Sequence, residues 1–148
     1  DPTPIQKHSV PNAVEGRDIM ACAQTGSGKT AAFLIPIMQC ILNSEGFKPF
    51  KNNSRSGWGE PLRPLALVLT PTRELCRQIH EEARKFAYKA GIKACTAYGG
   101  QSREQQLRQM SKGCDVLIAT PGRLNDFIET RALSMSNIRY LALDEADR

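Results

Sequence analysis

From Arg17 onward, short apolar runs alternate with longer stretches of helical periodicity, and each apolar run closes on residues suited to a tight turn or a helix start. This alternation constrains the fold more than any other feature. Strands separated by helices pair in parallel and lie covered on both faces, so they read as brief continuous apolar segments. The predicted strands are Asp18 to Ala23, Leu65 to Thr70, Lys93 to Tyr98, Asp115 to Ala119 and Arg139 to Leu143. The predicted helices are Gly28 to about Leu42, Thr72 to Lys89, Ser102 to Met110, and Gly122 to about Glu129. In the second of these, Leu75, Ile79, Ala83, Phe86 and Ala90 recur every three or four residues as one buried stripe, and Gly91 follows as a stop. Pro36 lies inside the first helical pattern and is expected to kink it or to remove a backbone hydrogen bond. Ala13 to Gly16 reads as a short turn before the first strand. Residues 43–64, from Asn43 to Pro64, carry no apolar period and read as a long flexible loop around Trp58.

The chain has 148 residues, enough for one α/β domain and too few for two. With 41% hydrophobic and 24% charged residues it resembles a folded globular chain rather than a disordered one. No apolar run approaches the roughly 20 residues of a membrane-spanning helix. Five cysteines, none closer than 18 residues to the next, make neither a zinc pattern nor a disulfide framework and read as small hydrophobes in a reducing compartment. The net charge of +5 coexists with an acidic cluster at Asp144, Glu145 and Asp147, so the remainder is more basic still and suits a polyanionic partner.

Ala23-Gln24-Thr25-Gly26-Ser27-Gly28-Lys29-Thr30 follows an apolar predicted strand and opens a predicted helix, the context a phosphate-binding loop requires. Small residues let backbone N–H groups converge on phosphate oxygens, and the helix N-terminus adds its positive dipole end. Lys29 is placed to neutralise the β and γ phosphates of a nucleotide, and the Thr30 hydroxyl to coordinate magnesium. Ala23 stands where the general pattern has glycine. The expected partner is an acidic residue at the end of another strand, and Asp144-Glu145 follows the apolar Tyr140-Leu141-Ala142-Leu143. Asp144 reads as the carboxylate that organises the metal, and Glu145 as the residue that orients or deprotonates an attacking water.

Thr70-Pro71-Thr72-Arg73 and Ala119-Thr120-Pro121-Gly122-Arg123 share a design of apolar run, proline and helix start carrying a hydroxyl and an arginine. Free helix N–H groups beside an arginine suit a phosphodiester, and Thr72 or Thr120 could cap its helix; a plain capped helix with proline in its first turn is the other reading. Gly99-Gly100, after Tyr98, adds a third place where a ligand's backbone could approach closely. His8, His80 and Trp58 receive no role.

Taken in order, AQTGSGKT, the PTREL of Pro71 to Leu75, Gly99-Gly100, the TPGR of Thr120 to Arg123 and the DEAD of Asp144 to Asp147 resemble the motif set of DEAD-box ATP-dependent RNA helicases. The resemblance runs from Pro4 to Arg148, and the wording DIMACAQTGSGKTAAFLIPI and EEARKFAYKAG looks most like the Vasa/Belle branch. It implies a RecA-like P-loop NTPase domain, ATP and Mg2+ as cofactors, and an enzyme that couples ATP hydrolysis to unwinding of RNA duplexes and remodelling of RNA–protein complexes. It further implies that Gln6, within Thr3-Pro4-Ile5-Gln6, reads the adenine, although the aromatic that stacks on the base in the family would precede Asp1. By the same resemblance Pro71, Thr72, Arg73, Gly99, Gly100, Thr120, Pro121, Gly122 and Arg123 grip RNA along its sugar–phosphate chain without sequence preference. The family's second RecA-like half, with its arginine fingers, would follow Arg148. Such fingers are worth about 10³ to 10⁵ in rate, so the 148-residue chain alone is expected to hydrolyse ATP negligibly. Branch and cysteines together point to the cytoplasm, with ribonucleoprotein granules and the nucleus as further addresses. Another P-loop NTPase, such as a DNA helicase, and a non-enzymatic RNA-binding module stand as the alternatives.

Overall fold

In the computed structural model, residues 1–47 and 59–147 are described, and the chain divides into two compact units, Asp1–Phe47 and Lys48–Arg148. The central part of the expected loop, Trp58 included, lies outside the described residues.

The first unit packs two helices together, α1 (Pro4–Val14) and α2 (Lys29–Leu42). Sequence periodicity gives no sign of α1: it holds two prolines, Pro4 and Pro11, and among its residues only Ser9 is buried. What starts it is proline in the first turn behind Thr3, and Gly16 beyond its end takes a left-handed φ of +82°. Helix α2 runs unbroken through Pro36, which is buried with Ala32, Leu34, Ile37, Met38 and Ile41. Proline therefore costs α2 one hydrogen bond to the carbonyl of Ala32 but does not end the helix.

The expected strand Asp18 to Ala23 does not form. Residues 18–22 are exposed, Met20 at 93%, and they pair with no strand of the sheet. Apolar and β-branched content measures fitness for a half-buried pleated surface, and without ladder partners it makes no strand.

The second unit holds a four-stranded parallel sheet of β1 (Ala66–Leu69), β2 (Ala94–Ala97), β3 (Val116–Ala119) and β4 (Tyr140–Leu143), in the order β2-β3-β1-β4. The connections carry α3 (Arg73–Ala87), α4 (Arg103–Met110) and α5 (Pro121–Glu129). Each of these strands and helices falls inside its predicted range, shortened at the ends, except that α5 begins one residue early. The connection from β1 to β2 runs one way along the sheet, and those from β2 to β3 and β3 to β4 run the other way. Right-handed crossovers therefore place α3 on one face and α4 and α5 on the opposite face. The packing agrees: Leu67, Ala97, Leu117 and Ala119 form one core with Met110 of α4 and with Leu124 and Phe127 of α5. On the α3 side, the Cys76 thiol donates to the carbonyl of Ile118 at 3.2 Å.

The stripe expected on α3 is displaced by one residue at each end. Its buried residues are Cys76, Ile79, Ala83 and Ala87, whereas Leu75 and Ala90 are half-buried and Phe86 is 36% exposed. Cysteine counts as a small hydrophobe here, and burial pushes its thiol up to about 12. Cys22 departs from that reading, being exposed. Gly91 holds a left-handed φ of +69°, four residues past the end of α3.

Candidate functional site

In the first unit the loop from Gln24 to Gly28 delivers the chain into α2 so that Lys29 and Thr30 occupy the first helical turn, with no acidic residue among them. Gly26 and Gly28 both sit in left-handed backbone, at φ +79° and +87°, which an L side chain enters only with strain. Gly28 is constrained twice, because a Cβ there would lie 2.5 Å from Gln6 Nε2 and 2.9 Å from Thr3 Oγ1. This cradle fits an anion. It offers a helix N-terminus with its free N–H groups, a cation at the first position, and glycine where a side chain would intrude.

Gln6 is the residue that ties α1 to this loop. Its Oε1 accepts from the Thr3 N–H at 3.1 Å, one half of a capping box, and its Nε2 donates to the Gly28 carbonyl at 3.1 Å. A primary amide has two donors and two acceptor lone pairs, so one of each is left, enough for the N6 and N7 edge of adenine. An open hollow of about 410 Å³, lined in part by Thr3, Ile5, His8, Cys22 and Ser27, adjoins the same segment. Its volume is that of a small-molecule site.

In the second unit, register does most of the placing. Ala97, Ala119, Leu69 and Leu143 stand at one level across the four strands. The next backbone bonds continue the ladder: Thr120 N–H donates to Ala97, Thr70 N–H to Ala119 and Asp144 N–H to Leu69, at 3.0, 3.0 and 2.9 Å. All four predicted motifs therefore leave the sheet from one edge in the order Gly99-Gly100, TPGR, PTREL, DEAD. Strand spacing of about 4.8 Å makes that row about 14 Å long. Beyond Asp144 the chain bends sharply, and Glu145 takes a left-handed φ of +51°, a conformation that non-glycine residues hold where surrounding structure enforces it.

Two of these motifs meet directly, and a third reaches the turn beside them. The Arg73 guanidinium lies 5.4 Å from the centre of the Tyr98 ring, and its Nη1 is 3.0 Å from where a Gly100 side chain would begin. Gly100, at φ +81°, thus leaves room for Arg73. Gly99 and Gly122 face open space. Thr72 caps α3, its Oγ1 accepting from the Leu75 N–H at 3.3 Å, whereas Thr120 makes no side-chain cap on α5. Arg73 is exposed, but the Arg123 side chain is only 15% exposed and is held on several sides. Its Nη1 donates to Gln106 Oε1 and its Nη2 to the Gln101 carbonyl, both at 3.1 Å, and Nε stands 3.8 Å from Asp126. The Phe127 ring lies 5.6 Å from both Arg123 and Arg103, and Asp126 accepts from Arg103 Nε at 3.0 Å. Sequence reasoning passed over Gln101, Arg103, Gln106, Asp126 and Phe127. His80, also given no role, is a packing residue: its Nε2 meets the Ala94 carbonyl at 3.0 Å, and burial lowers its pKa.

The profile of the DEAD/DEAH box helicase family matches residues 3–148. Among solved structures, the yeast DEAD-box splicing factor Prp28 is 40% identical with a TM-score of 0.85, and Prp28 from Chaetomium thermophilum bound to ADP is 45% identical with a TM-score of 0.83. A hypothetical ATP-dependent RNA helicase from Sulfolobus tokodaii is 31% identical with a TM-score of 0.81. Each match covers 99% of this chain, which spans 33% of either Prp28 chain and 38% of the Sulfolobus one. The parallel sheet flanked by helices is the RecA-like fold of these neighbours.

Proposed function

We propose, from the premise that this chain belongs to the DEAD/DEAH box helicase family, that it is the nucleotide-binding RecA-like part of an ATP-dependent RNA helicase. The whole enzyme couples ATP binding and hydrolysis to local unwinding of RNA duplexes and to remodelling of RNA–protein complexes. The observation that carries the reading is the shared register of the strand ends, which sets three anion-suited motifs side by side at one sheet edge with the Asp144-Glu145 pair next to them.

In this reading Lys29 neutralises the β and γ phosphates, the backbone from Gln24 to Gly28 cradles them, and the remaining donor and acceptor of Gln6 meet adenine. The Thr30 hydroxyl and the Asp144 carboxylate would each offer an oxygen ligand to magnesium, which would supply charge neutralisation at the phosphates. Glu145 orients the attacking water. RNA lies along the edge formed by Pro71, Thr72, Gly99, Gly100, Thr120, Pro121 and Gly122, with Arg73 as the exposed cation. Contacts of this kind reach sugar and phosphate, so binding is indifferent to sequence. The wording around the phosphate loop and α3 supports a Vasa/Belle-like branch as the finer placement, and cytoplasm as the address.

The test is ATP hydrolysis by the full-length protein with single-stranded RNA and DNA titrated in parallel. RNA alone is expected to stimulate turnover, and Lys29→Ala to reduce it by about a hundredfold or more, as loss of a phosphate clamp does. Equal stimulation by DNA would move the protein to the DNA helicases; unchanged turnover in Lys29→Ala would refute the mechanism.

A further inference from the structure

Gln106 is a neutral polar side chain at 2% exposure, in the middle of α4, on a sheet face that is otherwise apolar. Burying an amide is unfavourable unless its hydrogen bonds are met. Both ends of this one are met at or beside the motifs assigned to RNA: Nε2 donates to the carbonyl of Tyr98, the residue before Gly99-Gly100, at 2.9 Å and lies 3.5 Å from Gln101 Oε1, and Oε1 accepts from Arg123 Nη1 at 3.1 Å. The orientation of the amide follows from its partners, since a carbonyl needs a donor and a guanidinium needs an acceptor. Tyr98 immediately precedes Gly99-Gly100 and carries Arg73 over its ring; Arg123 closes TPGR and reaches back through Nη2 to the Gln101 carbonyl. The Gly99-Gly100 turn is therefore attached to α5 at two points, and one of them passes wholly through Gln106.

We propose that Gln106 is a positioning residue for RNA binding, and that Arg123 serves the RNA face chiefly through this clamp and not as a phosphate ligand. The inference rests on the RNA-helicase reading above. Gln106 itself touches no RNA. It holds the backbone around Gly99 and the start of α5 at the spacing that successive phosphates require, so that Arg73 and the free N–H groups of α5 act on one strand together.

The experiment uses the full-length protein, with Gln106→Leu removing both bonds at similar volume and Gln106→Glu keeping the acceptor for Arg123 while losing the donor to Tyr98. Half-saturation by RNA, KM for ATP at saturating RNA, and the thermal midpoint are measured for each. Gln106→Leu is expected to raise the RNA half-saturation concentration about tenfold, on the scale of a lost hydrogen bond to a charged group, with the KM for ATP within about twofold. Gln106→Glu should raise it less. A double-mutant cycle of Gln106→Leu with Arg123→Met should be non-additive in RNA affinity. RNA half-saturation within about twofold of the unsubstituted protein in both variants overturns the proposal, as does a parallel rise of both constants, which would mark general loosening. If Gln106→Leu fails to fold, Gln106→Glu decides by the same criterion. Failure of RNA to stimulate the unsubstituted protein overturns the helicase reading and this inference together, and so is distinguishable from failure of the inference alone.

Discussion

At the scale of single residues, Gly28 and Gln6 act as one unit. Gly28 combines left-handed backbone, worth about 1–2 kcal/mol of strain for an L-residue, with the approach of Gln6 Nε2 to 2.5 Å from where a Cβ would stand. Gly26 has a similar φ of +79° and open space around it. Alanine at Gly26 therefore meets strain alone, and alanine at Gly28 must in addition displace the amide that bonds its own carbonyl. The expected outcome is that Gly28→Ala weakens ATP binding by tenfold or more beyond Gly26→Ala, where tenfold is about 1.4 kcal/mol. In a double-mutant cycle Gly28→Ala should be strongly non-additive with Gln6→Ala, and Gly26→Ala should be additive with it. Titration of a fluorescent ATP analogue measures all six proteins, the unsubstituted one included. Additivity at Gly28 would mean that the contact does not matter to the loop. The glycine turn that enters α2 was legible in the sequence because its residues are contiguous and its spacing fixed. Gln106 was not, since an amide in the run Arg103-Glu104-Gln105-Gln106 looks like any other solvated helix residue until the chain folds around it.

At the scale of elements, α3 offers the sharpest check on how apolar patterns become buried faces. Its interior-facing residues are Cys76, Ile79, Ala83 and Ala87, spaced by three, four and four, so Ile79 lies at 2% exposure and Phe86, seven residues on, at 36%. Ile79→Ala is expected to cost about 2–5 kcal/mol in urea unfolding, and Phe86→Ala less than about 1 kcal/mol despite deleting the larger side chain. A reversed order would restore the stripe through Leu75 and Phe86. The elements from β1 onward were readable because each strand is a short, largely apolar run between turn residues. Two elements were not. Helix α1 has no apolar stripe and is set instead by Pro4 at its start and by the Gln6 bonds to Thr3 and Gly28, the second of which is visible only in three dimensions. Asp18 to Ala23 has the composition of a strand, but pairing is a property of the sheet and not of the segment, and the ladder runs β2-β3-β1-β4 without it.

At the scale of the whole molecule, the sheet carries its acidic motif and its weak point on the same strand. β4 delivers Asp144 and Glu145, yet it is an edge of the sheet and alternates half-buried with exposed residues; Leu141 and Leu143 are 58% and 57% exposed. By register they continue the row of Leu67 and Leu69 on the α4–α5 face, where the core under those helices holds Leu67 but neither β4 leucine. An edge strand that presents apolar side chains to solvent is a template for another chain. The 148-residue chain expressed by itself is therefore expected to self-associate with rising concentration. Leu141→Thr with Leu143→Thr should suppress that association while lowering the thermal midpoint by no more than a few degrees, because both side chains are already largely in water. Sedimentation velocity across a concentration series measures the first effect and circular dichroism melting the second. A monomeric parent chain, or a double variant that associates as strongly as its parent, would show that the β4 leucines are not the adhesive surface.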